Sequence, residues 1–184
     1  MRIPRRLPAT VAASTLLVGV LTYDAAAQAP QIITCDGAST TTFSPGVTTT
    51  PQDNVTRKTT GALWNCTGDP TATSATFVSE GVGNQVTCTQ GTFRDKPGAV
   101  QRTSWQATAG ELTSTFTWQM SPIGDLLEIQ NPISGGITDG RYKGATWTTI
   151  SDPARSVINI TDCAKVGGLR SMRLGGRLVI TLPN

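Results

Sequence analysis

The chain has 184 residues, 15 lysines and arginines against 12 aspartates and glutamates, and no histidine. The missing histidine excludes Ser–His and Cys–His nucleophilic catalysis, histidine general-base chemistry and nearly every catalytic zinc site. The formal charge is +3, but the first 29 residues hold Arg2, Arg5 and Arg6 and only Asp24, so the rest carries 12 basic and 11 acidic side chains. That balance argues against a nucleic-acid or anionic-membrane surface.

In chain order, the first element reads as a secretory signal peptide. Arg2, Arg5 and Arg6 form a positive start, Val11 to Leu21 form a short apolar run, and small residues follow at Ala25-Ala26-Ala27-Gln28-Ala29. Cleavage after Ala27 or Ala29 divides the chain into a leader, 1–29, and one secreted domain, 30–184. The apolar run is too short for a typical spanning helix, so no integral membrane segment is expected after cleavage. All four cysteines, Cys35, Cys66, Cys88 and Cys163, lie in the domain. An even count in an exported chain implies two disulfides, with three connectivities available, and no free thiolate.

The domain itself reads as strands near 31–43, 54–66, 72–80, 84–93, 99–109, 111–120, 125–134, 141–151 and 176–182. Glu111–Met120 alternates Leu112, Phe116, Trp118 and Met120 against Thr113, Thr115, Thr117 and Gln119, the period of a strand with one buried face. Turn chemistry marks Gly81–Asn84, Asp95–Gly98, Ala109-Gly110, Gly124-Asp125, Gly135-Gly136 and Gly175-Gly176. The segment 152–174 reads as a long connection with a helical turn. The fold class is all-β: a single antiparallel, largely meandering sandwich or flattened barrel with two disulfides.

Phe43–Gln52, with Pro45-Gly46 and Pro51, reads as the turn between the first two strands. Cys35 and Cys66 are equidistant from a centre between Thr50 and Pro51, so an antiparallel hairpin would bring them together. Cys88 would then pair with Cys163.

Little catalytic chemistry survives. Glu80, Glu111, Asp125 and Glu128 are the acids to consider for a carboxylate pair, and solvated surface accounts for each. Ser-x-x-Lys, an Asp-rich calcium loop and phosphate-binding glycine motifs are all missing, and no cofactor or metal is expected. Among the tryptophans, Trp64, Trp105 and Trp118 fall on apolar faces. Trp147 shares parity with Arg141 and Lys143, opposite Tyr142, so one of the two aromatics should be exposed. Trp147, Arg141 and Lys143 are therefore the nominated ligand contacts. Lys165, Arg170, Arg173 and Arg177 form a mild basic cluster, read as a solvated face. Asn54, Asn65 and Asn159 head Asn-x-Thr sequons.

Cys35, Phe43-Ser44-Pro45-Gly46-Val47, Thr50-Pro51-Gln52, Ser114–Trp118 and Gly136–Gly144 together resemble a family of small secreted actinobacterial proteins with no assigned biochemical function. The resemblance implies export and an all-β domain, and it supplies no catalytic residues. The expected role is a non-catalytic extracellular or envelope-associated protein that binds a ligand, glycan or protein partner. The alternatives are a small carboxylate-dependent glycan hydrolase, or a protease inhibitor presenting 44–53 or 94–98.

Overall fold

Threonine, valine and isoleucine recur throughout the domain, and their branched Cβ favours extended backbone. A computed structural model describes residues 29–88, 92–95, 101–118 and 133–184; at 92–95 and 118 the description is of the backbone. Nine strand segments result: β1 Ile32–Val47, β2 Val55–Thr67, β3 Ala72–Asn84, β4 Thr92–Asp95, β5 Gln101–Ala107, β6 Thr113–Trp118, β7 Ile133–Gly140, β8 Thr146–Val157 and β9 Leu169–Thr181. The leader, the expected strand at 125–134 up to residue 132, Asp125, Glu128 and the turn residues 96–98 lie outside the described residues.

All pairings are antiparallel, and they close on themselves. β1 pairs with β2, β2 with β3, β3 with β5, and so on through β8 to β9, which returns to β1. β4 and β5 run in the same direction along one edge of β3, with Gly81 opposite Asp95 and Val78 opposite Arg102. The two segments follow one another along that edge and count as one position in the sheet, while the turn expected at Asp95–Gly98 falls on residues 96–98, outside those described. The meandering all-β class therefore stands as a ring of eight strands. Among the described residues no helix is long and apolar enough to cross a membrane.

Alternation sends every second side chain inward. One apolar cluster gathers Ile33, Leu63, Ala75, Trp105, Phe116, Ile137, Trp147 and Ile180. A second gathers Phe43, Val47, Val55, Val86 and Leu169 around Cys88 and Cys163. Between them along β1, β2 and β3 lie the buried hydroxyls of Thr41, Thr59 and Ser79, the first two hydrogen-bonded at 2.9 Å.

Both disulfides are as expected, Cys35–Cys66 and Cys88–Cys163. The hairpin argument needed a correction of one residue. From Ser44–Thr56 to Asp36–Trp64 the ladder turns about Thr50, not between Thr50 and Pro51. A bulge at Asn65, whose φ is 50°, then adds a residue to β2 and brings Cys66 opposite Cys35.

Three glycine pairs expected in turns lie inside strands. Gly81–Asn84 belongs to β3, Gly135-Gly136 to β7 and Gly175-Gly176 to β9. Close approach, not reversal, is the reason at Gly135 and Gly175: a Cβ on Gly135 would strike the Thr117 carbonyl, and one on Gly175 would lie 2.6 Å from Cβ of Arg155. The 152–174 connection is also shorter than expected. β8 runs to Val157, a five-residue 3-10 helix spans Ile160–Ala164, and β9 begins at Leu169.

Candidate functional site

The nominated contacts separate. Trp147 is 2% exposed, donates its indole N–H to the Thr117 carbonyl at 3.1 Å and packs on Phe116 with ring centroids 5.7 Å apart. Arg141 is also buried, whereas Lys143 is exposed and lies 3.8 Å from Asp139. The expectation that Trp147 or Tyr142 must face outward assumed an unbroken strand over 141–151. Instead Gly140, Tyr142 and Gly144 all have positive φ, and the resulting turn sends both aromatics inward. Trp147 thus presents no outer aromatic surface.

Arg141 joins three loops at the end of the ring where Gln31 and Leu182 meet. Its guanidinium donates to Asp69 Oδ2 at 2.6 Å and to the carbonyls of Ala109 and Glu111 at 2.5 and 3.3 Å, and also to the Thr71 hydroxyl. Tyr142 donates its hydroxyl to the same Asp69 oxygen at 2.8 Å, and its ring meets Trp105 edge-on at 5.1 Å. Burial alone would raise the Asp69 pKa, but hydrogen bonds from Thr71, Arg141 and Tyr142 outweigh it and hold the carboxyl well below its ordinary range. Burial is also the main reason the Tyr142 phenol is pushed up to about 12. The ion pair is a lock between loops: both terminal nitrogens of Arg141 are engaged, while its buried Nε has no hydrogen-bond partner among the described residues.

Of the acids considered at the outset, Glu80 lies 3.5 Å from Lys58 on β2, and Glu111 is exposed at the start of the chain into β6. The structure does not join them in a cleft. A different pair of acids does share one. On the outer wall, Trp64, Asp36, Arg177 and Ile150 form a row, one residue from each of β2, β1, β9 and β8. The next row holds the small residues Ala62, Ala38 and Gly175, with Asp152 at its end.

Across that second row arches Pro153–Ser156, extra residues that shift the β8–β9 register between Asp152 and Val157. Ser156 fastens the arch: its hydroxyl donates to the Asp152 carbonyl at 2.8 Å and accepts the Gly175 N–H at 3.1 Å. Asp152 Oδ1 accepts the Ala154 N–H at 3.0 Å. Arg155 is thereby laid over Gly175, with its guanidinium 5.5 Å from the Trp64 ring centroid and 3.7 Å from Asp36. Asp36, Ile150, Ser151, Asp152, Arg155, Gly176 and Arg177 line a cleft of about 200 Å³.

Sequence reasoning noticed Arg177 only as part of a solvated basic face and missed Asp36, Asp152 and Arg155. Their convergence depends on pairing β1 with β9, which are distant in the chain. A local signal was present in Asp152-Pro153, a turn-starting pair within a threonine-rich strand pattern. Among the described residues no group of three or more cysteines, histidines or acids is placed to hold a metal ion. No family model, curated protein or solved structure matches the chain.

Proposed function

We propose that this protein is an exported, non-catalytic binding protein, similar to the small secreted actinobacterial family, whose ligand site is the outer cleft between β8, β9 and β1. Two disulfides and no free cysteine among the described residues suit an oxidising compartment. The observation that carries the binding reading is the cleft itself. An arch held by Ser156 brings Arg155 beside Asp36, Asp152 and Arg177 over a floor of small residues. Side chains fixed in this way lose little further entropy on binding.

The volume limits the ligand. It falls short of the roughly 300 Å³ at which drug-sized sites begin. A small charged solute, or one charged group of a larger polymer, is the ligand that fits. The test is a thermal-shift screen of the oxidised protein against small charged solutes, repeated on Arg177→Ala and Asp152→Ala. Binding at the cleft predicts stabilisation lost in both variants without a lower melting temperature of their own. Stabilisation that persists in both would place the site elsewhere.

A second reading rests on Asp36 and Asp152 lining one cleft, since paired carboxylates are the catalytic option this chain retains. Glycan turnover abolished by Asp36→Asn and Asp152→Asn, each with binding retained, would favour a hydrolase over a binding protein.

A further inference from the structure

We infer that the outer cleft recognises a small zwitterion, with an ammonium and a carboxylate as close as in a free α-amino acid. The inference rests on the reading of that cleft as a binding site. Its lining carries two guanidiniums, Arg155 and Arg177, and two carboxylates, Asp36 and Asp152. A purely anionic ligand would meet the carboxylates, and a purely cationic one the guanidiniums. A molecule carrying both signs meets a partner at each end.

The four groups are not equally available. Asp36 lies against Arg155 through Oδ1 and accepts the Asn65 side-chain amide at 3.2 Å through Oδ2. Arg155 is shared between Asp36 and the Trp64 ring. Arg177 forms no hydrogen bond or ion pair among the described residues, and Asp152 uses only Oδ1, on the Ala154 N–H. Arg177 lies opposite Ile150, and Asp152 opposite Gly175, so the two charges are diagonal neighbours on adjacent strands. Diagonal positions are about 7 to 8 Å apart at the backbone, near enough for both side chains to reach the two ends of one short zwitterion held between them. Ile150 is 54% exposed beside them, and an apolar side chain of the ligand would rest there.

The site is open to water, so affinity should be weak, with Kd in about the millimolar range. An NMR titration of the ¹⁵N-labelled, oxidised protein can use leucine, N-acetyl-leucine, leucinamide and glucose. Leucine should shift the amides of Ile150, Ser151, Gly176 and Arg177. Blocking either of its charges should weaken binding about tenfold, the equivalent of one lost charge contact. Arg177→Gln and Asp152→Asn should each weaken leucine to a similar degree and leave the remaining spectrum unchanged. A cleft that takes N-acetyl-leucine, leucinamide or glucose as well as leucine overturns the zwitterion and keeps the binding site. Leucine shifts that survive both substitutions also overturn it. If no charged solute perturbs these amides, the binding site falls as well.

Discussion

Replacing Arg141 by Met tests the loop lock directly. The substitution keeps much of the side-chain volume, removes the guanidinium, leaves the Asp69 carboxylate without its cation though still bonded by Thr71 and Tyr142, and frees the Ala109 and Glu111 carbonyls. Arg141 and Asp69 side chains are only 8% and 15% exposed, so the pair belongs with buried ion pairs, not with surface pairs worth about 0 to 1 kcal/mol. Breaking one buried partner costs about 3–5 kcal/mol. For a domain of this size that is a melting-temperature loss of roughly 6 to 20 °C. Asp69→Asn should cost less, about 1.5–3 kcal/mol, because Arg141 retains its carbonyl acceptors.

The same lock has a pH signature. The Asp69 pKa is depressed in the folded state, so its contribution is complete above the unfolded value of about 3.9. It is lost as pH falls below that value toward the folded one. Urea denaturation at pH 7 and pH 3, with disulfides intact and followed by tryptophan fluorescence, measures both effects. Trp105 is a suitable reporter, since its indole N–H bonds Ser114 Oγ, which donates to the Arg141 carbonyl at 2.5 Å. An Arg141→Met loss under about 1 kcal/mol would refute the argument. So would an Asp69→Asn protein whose stability falls between pH 7 and pH 3 as steeply as the unsubstituted protein's.

Gly135→Ala should cost about 1–3 kcal/mol or prevent folding, because its Cβ would strike backbone at Thr117. Gly136→Ala, whose nearest neighbour would be 3.7 Å away, should be close to neutral; paired thermal melts distinguish the two. Trp147→Ala should lower stability by about 3–5 kcal/mol in denaturant titration, since the ring is core. Removing the disulfides by paired serine substitutions should cost about 3.7 kcal/mol for Cys35–Cys66 and about 4.5 for Cys88–Cys163. Those figures follow from separations of 31 and 75 residues, and equal losses in urea titration would show that loop entropy is not the source.

Much of the ring could be read locally. Turn spacing located β1 and β2, and period-2 alternation β5 and β6, to within a few residues; the cysteine symmetry identified Cys35–Cys66 and left Cys88 for Cys163. Glycines misled because a glycine that admits a neighbouring chain is identical in sequence to one that turns. Gly135-Gly136 hid the greater part of β7, and Gly175-Gly176 hid the first half of β9. The cleft was illegible for a different reason. Asp36 and Arg177 are 141 positions apart, and only the closing β1–β9 ladder makes them neighbours. Arg141 looked like a surface cation because its partner, Asp69, is in another loop, 72 residues away.

The return of β9 to β1 also orders events in time. Ribosomes deliver this chain from its N-terminus, so β1 appears early, yet one of its two edges lacks its neighbour until Leu169–Thr181 has followed. Cys35 and Cys66 can meet within the first hairpin, whereas Cys88 must wait for Cys163. Until the final strand docks, β1 offers a row of unpaired backbone groups to any other extended segment. Dependence on such distant pairing slows folding. The first bond therefore guards a half-built wall, and the second can form only as the wall nears completion.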